Sequence, residues 1–196
     1  MKPLFLGSHC AIDFLNTTLA PQGSVLELIG DGASFVEWLV QAGLLDTAEA
    51  ATVHRRFSNK ALNAIALEAR QLRAWATQWI ARWRESPNGT YSVELQHLNA
   101  LLRRSNNHPE VAAKNGLQLV QRQHLKLEDE LLALVAAQIA LLISGEQPHL
   151  VKQCAGADCT LLFLDRTKAH HRLFCSTSAC GNRAKVAAFR DRQKTR

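Results

Sequence analysis

Residues 154–180 read CAGADCTLLFLDRTKAHHRLFCSTSAC and contain four of the five cysteines of the chain. The cysteines form two pairs with four intervening residues each, and fifteen residues separate the pairs. A zinc ion takes four thiolates in a tetrahedron with Zn–S bonds of about 2.3 Å, and two short loops with two sulfurs each can enclose it without strain. The spacing therefore predicts one structural Zn²⁺ bound by Cys154, Cys159, Cys175 and Cys180.

Two other uses of paired cysteines agree less well with the sequence. Disulfides belong to oxidising compartments, and the chain begins without the long apolar segment and small-residue cleavage site of a secretory signal. A thioredoxin-like redox pair has two residues between its cysteines, not four. We therefore expect a cytoplasmic location, where the thiols stay reduced and can hold a metal.

The residues between and after the cysteines predict a treble-clef-like module. Residues 160–165 are typical of a short apolar strand, 166–168 of a turn and 171–174 of a returning strand. Ser178 is a suitable N-cap for a helix over the rest of the chain. Because a piece of about 45 residues cannot bury enough apolar surface to fold alone, the metal is expected to supply much of its folding free energy.

The sequence also resembles a known family. Cys180 is followed by Gly-Asn-Arg183 and Ala-Lys, a cysteine lies five residues earlier, and Phe-Leu-Asp165 ends the predicted strand. This combination resembles the CGNR zinc-finger family, with Phe174 at a position where the resemblance predicts Trp. The resemblance implies an N-terminal ABATE-type α+β domain of unassigned ligand and a role as a stress-linked transcription regulator.

A polar cluster near the N-terminus extends this resemblance. Residues 10–17 read CAIDFLNT, similar to the Leu-Asp-x-x-Asn-Thr opening of ABATE-type domains. Asp13, Asn16 and Thr17 are polar groups among apolar ones, and Asp13 and Asn16 share one side if the segment is helical. These three residues either contact a ligand or tie the first helix to a neighbouring loop.

Periodicity predicts a mostly helical N-terminal domain with a few short strands over residues 1–147. The cysteine pairs place the zinc module in residues 148–196. The fold class is therefore α+β. Predicted helices cover 35–40, 47–57, 59–85, 93–104 and 125–144, and predicted strands cover 25–29, 111–113 and 116–123, with a turn at 106–109. Trp75, Trp79 and Trp83 repeat along one helix face, a pattern of core packing or of base stacking.

Charge separates the two parts. Residues 1–149 carry 13 Lys and Arg against 14 Asp and Glu, whereas residues 150–196 carry 10 against 3, a net charge of +7. A basic block beside a folded helix favours a polyanionic partner, and the alternative is a solvated tail that binds nothing in particular. Nucleic-acid contacts are expected from the predicted hairpin and helix, at Arg166, Lys168, His170, Arg172, Asn182, Arg183, Lys185, Arg190 and Arg192.

Helical geometry refines this expectation. At 100° per residue, Arg183, Arg190 and Lys194 form one row and Lys185, Arg192 and Arg196 another, with Val186 and Phe189 between them. Both rows stay exposed if this apolar pair packs back onto the hairpin. Asn182 and Arg183 could instead support the metal's sulfurs or the knuckle backbone.

Three classes of function follow. The first is a DNA-binding transcription regulator whose N-terminal domain senses a small-molecule effector or forms a homodimer. The second is a zinc-stabilised module that contacts RNA or an acidic protein without sequence-specific DNA binding. An enzyme is not expected, because four thiolates leave zinc no open position and no histidine follows His171 to hold a catalytic metal. No apolar run reaches the ~18 residues of a membrane span.

Overall fold

The computed structural model describes residues 5–19, 25–113, 116–123 and 125–194, and helices dominate them. The predicted α+β class, with a mainly helical N-terminal part and a small C-terminal module, is confirmed. Seven α-helices lie in the described residues: α1 (Cys10–Leu15), α2 (Gly32–Gln41), α3 (Thr47–Arg56), α4 (Asn59–Glu85), α5 (Ser92–Leu102), α6 (Glu130–Gly145) and α7 (Asn182–Lys194).

Side-chain caps explain where three of these helices begin. The carboxylates of Asp31 and Asp46 accept the backbone N–H of the third residue of α2 and α3, and that residue's side chain accepts the N–H of the capping aspartate. The Ser58 hydroxyl caps α4 by accepting the backbone N–H of Ala61. Each reciprocal cap satisfies two backbone donors that the helix itself leaves unpaired. Gly43 adopts a φ of +71° just beyond α2, a conformation that glycine takes without strain.

The core of the N-terminal part forms where α4 and α6 meet α1, α2 and α5. Helix α6 is apolar on most of its surface, and its Leu131, Val135 and Ile139 are fully buried. On α4, Trp79 and Trp83 are buried, and Trp75 packs on Trp79 with ring centroids 5.2 Å apart. The tryptophan stripe therefore belongs to the core, as its helical spacing predicts.

In the described ranges, the strands form three separate antiparallel pairs. The pairs are β1 (Thr18–Leu19) with β2 (Leu26–Glu27), β3 (Asn107–Ala113) with β4 (Leu117–Gln123), and β5 (Val151–Gln153) with β6 (Leu162–Leu164). The turn expected at 106–109 is wrong for residues 107–109, because β3 already pairs with β4 from Asn107 onward. Proline at 109 is tolerated since, among the described residues, no further strand pairs with this two-stranded ribbon.

The C-terminal module is joined to the helical part through its first strand pair. Val151 and Leu164 are buried in the main core, and a 3₁₀ turn at Pro148–Leu150 is the only link along the chain. The returning strand expected at 171–174 is wrong, since β6 pairs with β5 and residues 171–174 form an irregular loop. A π-helical turn at Thr177–Gly181 precedes helix α7. The N-cap of this turn is Ser176, whose hydroxyl accepts the N–H of Ala179, and not Ser178 as expected from the sequence.

Within the described ranges, no helix combines the length and apolar character that crossing a membrane demands.

Candidate metal centre and nucleic-acid surface

The four cysteines that the sequence predicts as metal ligands lie close together in the structure. Their sulfurs are all within 4.8 Å of one another. The Sγ atom of Cys175 is 3.8 Å from that of Cys159 and 3.6 Å from that of Cys180. Four thiolates around Zn²⁺ with bonds of about 2.3 Å would place sulfurs about 3.8 Å apart, whereas a disulfide needs about 2.05 Å. The cluster therefore has the dimensions of a tetrahedral metal centre, and its cysteines are free thiols.

Backbone geometry around the sulfurs also fits a metal. The N–H groups of Gly156 and Cys175 point at Cys154 Sγ, at 3.4 and 3.2 Å, as in a knuckle that supports a thiolate. A Cβ atom at position 156 would lie 3.2 Å from Cys180 Sγ, so glycine leaves room for the sulfurs. The Arg183 guanidinium donates to Cys180 Sγ at 3.0 Å and supplies positive charge to the site.

The thiols of the cluster differ in acidity. Burial raises the pKa of Cys154, but hydrogen bonds from the backbone of Cys175 and Gly156 and from neighbouring thiols outweigh burial and lower it. Burial, with further contributions from neighbouring sulfurs, raises the pKa of the Cys175 thiol well above its usual range and that of Cys159 to about 11. Four adjacent thiolates repel one another, and a divalent cation would offset that repulsion. The residues present thus suit Zn²⁺, with Cys154, Cys159, Cys175 and Cys180 as its ligands.

Asp165 organises the loop that carries the second cysteine pair. One of its oxygens accepts from Thr167 N at 3.1 Å and Thr167 Oγ1 at 2.6 Å, and the other accepts from Lys152 Nζ at 2.7 Å and Arg172 N at 2.9 Å. Burial alone would raise the pKa of this fully buried carboxyl, but these donors outweigh burial and hold the pKa well below its usual range. The Lys152 ammonium also donates to His170 O, which fixes the loop between β6 and Cys175.

The three polar residues near the N-terminus, Asp13, Asn16 and Thr17, form hydrogen bonds with other parts of the protein. Asp13 Oδ1 accepts from Gly7 N at 2.7 Å, and Thr17 donates to Phe14 O while accepting from Arg73. Asn16 bonds both backbone groups of Leu162 at 2.9 Å, and so clamps α1 to strand β6 of the zinc module. These contacts correspond to the structural alternative for the cluster; ligand binding by the three residues stays a prediction.

Burial gives Asp13 an unusual titration. It raises the pKa of the carboxyl to about 6, against the opposing hydrogen bonds from Gly7 and Leu6. Because the folded pKa lies above the unfolded value, folded protein binds more protons between about pH 4 and 6, and the stability contributed by this group is lost as the pH rises through 6. We expect Asp13→Asn to remove this loss, so that the variant gains about 2–3 kcal/mol on wild type between pH 4 and pH 7.

Urea unfolding of both proteins across that pH range tests the expectation. Asparagine can still accept from Gly7 N, and the metal centre titrates equally in both proteins, so its contribution cancels in the difference. A difference in the free energy of unfolding that stays constant with pH would contradict the assigned pKa.

The four basic residues that were predicted to contact nucleic acid from the loop after β6 differ in how free their side chains are to do so. Lys168 is exposed, and Arg166 pairs with Glu146 at 2.5 Å while its side chain remains 57% exposed. His170 is held at φ 51° with its ring beside Asp165 O. Arg172 lies over the Phe163 ring at 4.3 Å and donates to the carbonyls of Leu6, Phe174 and Cys175, so its guanidinium is committed to the fold.

The five candidates on α7 are exposed, and the structure separates their roles. Asn182 donates to Ser178 O at 3.3 Å and Arg183 contacts Cys180, so both touch the turn that carries a metal ligand. Lys185, Arg190 and Arg192 project from the helix. The condition stated from the sequence, that Val186 and Phe189 pack back onto the hairpin, is not met: they remain 48% and 55% exposed.

Two residues that stabilise the fold, Arg73 and Asp165, were not predicted from the sequence. Arg73 is buried, bonds Thr17 Oγ1 at 2.7 Å and forms a two-armed ion pair with Glu27, yet in the sequence it is one basic residue on a long helix. For Asp165 the sequence did contain an indication, because this carboxylate directly follows an apolar strand. A carboxylate at a strand end can receive donors from the next loop.

Comparison with known families agrees with these sites. A profile described as "Putative stress-induced transcription regulator", ABATE, matches residues 8–146, and a profile described as "CGNR zinc finger" matches residues 151–193. A search of the curated proteins found no match. The two profiles confirm the resemblance stated from the CGNR motif and from the opening of the N-terminal part.

Proposed function

The chain belongs to the ABATE family and ends in a CGNR zinc finger, and from this premise we propose that it is a transcription regulator that grips DNA through its zinc module. One structural Zn²⁺, in this proposal, is held by the four clustered cysteines. The N-terminal domain senses an effector or pairs two copies of the chain. The protein acts by binding and not by catalysis, because four thiolate ligands leave no position for a substrate.

The observation that supports DNA binding is the way the metal centre presents α7. Cys180 lies in the π-helical turn directly before the helix, and α7 makes its main contacts within the described chain with that turn. A metal centre would therefore fix the direction of a helix whose sides face solvent. Basic side chains on an exposed helix can contact phosphates, and arginine can bond guanine bidentately in the major groove.

The exposed apolar pair on α7 supports a second candidate. Val186 and Phe189 lie between the two basic rows and are about half exposed. Exposed apolar residues rimmed by charge are typical of protein interfaces. The alternative is a zinc-stabilised module that binds RNA or an acidic protein through the same face, and salt dependence, DNA competition and the choice of nucleic acid separate these partners.

The test is gel-shift binding of the zinc-loaded chain to random-sequence duplex DNA over a salt series, with single-stranded RNA in parallel. We expect steep weakening as salt rises, because each neutralised phosphate adds about −0.9 to the slope of log K against log salt. Arg190→Glu with Arg192→Glu should lower that slope by about two and the affinity by at least about tenfold. A chelator should abolish binding.

Arg55→Glu with Lys60→Glu is the matched control, since it changes the net charge equally at exposed positions of the helical domain. We expect this control to bind DNA nearly as wild type does. Equal losses in both double variants would reduce the effect to net charge, and unchanged binding by the α7 variant would remove the helix from the DNA surface. Tighter binding to RNA than to DNA would favour the second candidate.

A further inference from the structure

A cavity of about 400 Å³ lies between the helical domain and the zinc module. Its walls come from the end of α1, the first strands, the last turns of α4, and the segments beside the first cysteine pair. Half of the lining residues are aliphatic and none is aromatic: Leu15, Leu19, Val25, Ile80, Ala81 and Leu162. The volume is near the small end of ligand pockets, which span about 300–1,000 Å³ and are lined mainly by apolar groups with a few polar ones.

Arg84 provides the charged group of this cavity. It is half-buried in the last turn of α4, and its guanidinium makes no hydrogen bond or ion pair with any residue in the described part of the chain. Among the described residues, the other Lys and Arg side chains with reduced exposure all have partners: Arg73 and Lys152 pair with carboxylates, and Arg70 and Arg172 donate to carbonyl oxygens. A half-buried guanidinium without a partner is costly, and a carboxylate can satisfy it through two parallel hydrogen bonds.

We propose that this cavity binds a small aliphatic carboxylate, with its chain against the leucine and isoleucine side chains and its carboxylate on Arg84. The absence of aromatic side chains from the lining favours a flexible alkyl chain over a planar ring. The proposal rests on the function proposed above, for which it supplies the site and the chemical class of the effector.

The position of the cavity connects an effector to the metal centre. Two lining residues, Gln153 and Thr160, directly adjoin Cys154 and Cys159 in the chain. A third, Leu162, is held through both backbone groups by Asn16, which also lines the cavity. A bound ligand would therefore touch the knuckle that carries one cysteine pair and the clamp that joins the two parts. Ligand binding and DNA binding would be coupled wherever the ligand prefers one arrangement of this junction.

Calorimetric titration of the zinc-loaded full chain with decanoate tests the site, and decan-1-ol serves as the uncharged matched probe. We expect decanoate to bind with one ligand per chain and Arg84→Gln to weaken it about tenfold or more, because a charge-assisted pair is lost. Decan-1-ol should bind wild type and Arg84→Gln equally. Lys60→Gln, an exposed position at the start of the same helix, should leave both titrations unchanged.

Ala81→Phe is the second variant, since it places a large ring on the cavity wall and should block both probes while the melting temperature stays within a few degrees. No decanoate binding to wild type, or equal binding by wild type and Arg84→Gln, would overturn the proposal. Gel shifts on the same samples separate the two ideas. DNA binding without decanoate binding refutes the effector site alone, and decanoate binding without DNA binding refutes the regulator instead.

Discussion

Replacing Cys175 with serine is expected to lower zinc affinity by more than about a hundredfold, because even losing an outer partner of a ligand costs about 10- to 100-fold. Cys175 is 2% exposed, its sulfur lies between those of Cys159 and Cys180, and its N–H supports Cys154. Without the metal, the short strands and loops around the cluster keep only a small apolar core. We expect residues 154–194 to lose order while α1 to α6 retain their helical content.

Elemental analysis of zinc per chain and circular dichroism together measure this outcome. Cys10→Ser is the matched control, since Cys10 is a half-buried thiol of α1 outside the cluster. The control should keep its zinc. A Cys175→Ser protein that still holds one zinc per chain with unchanged affinity would show that the ligand set is wrong.

The second large effect is expected at Asp165. Its two oxygens receive four hydrogen bonds, all from donors of Lys152, Thr167 and Arg172. Asparagine has the same shape but must turn its NH₂ group toward one pair of those donors. We therefore expect Asp165→Asn to lower the free energy of unfolding by about 3–5 kcal/mol, as for a buried ion pair that loses one member.

Asp158→Asn is the matched control for that substitution. Asp158 is exposed and has a φ of 59°, which asparagine also accepts, so the control should change stability by no more than about 0.5 kcal/mol. Lys152→Met, alone and combined with Asp165→Asn, completes a double-mutant cycle. The combined loss should be smaller than the sum of the single losses; strict additivity would show that the two side chains are not coupled.

Local signals explain how much of this fold could be predicted from the sequence. Helix α4 has the predicted bounds, 59–85, since Ser58 caps it and an apolar stripe runs along its whole length. The metal cluster was equally predictable, because two cysteine pairs with short spacers can meet at one ion. In both cases the information lies within a few residues along the chain.

Features that depend on distant residues could not be predicted. The apolar run at 160–165 indicated a strand but not its partner, and β5 pairs with it because Val151 and Leu164 enter the main core together. Val186 and Phe189 have helical spacing typical of packing, yet no strand in the described part of the chain covers them. The cavity with Arg84 brings together residues from 15 to 162, which no local pattern connects.

The shared burial of Val151 and Leu164 sets limits on protein engineering. A recombinant fragment cut at the 148–150 turn would leave two aliphatic side chains missing from the larger half and would expose the surface they cover. Chimeras that exchange the C-terminal part of the zinc module between homologous chains should instead be joined after residue 164. The β5–β6 strand pair then stays with the helical domain whose core buries it.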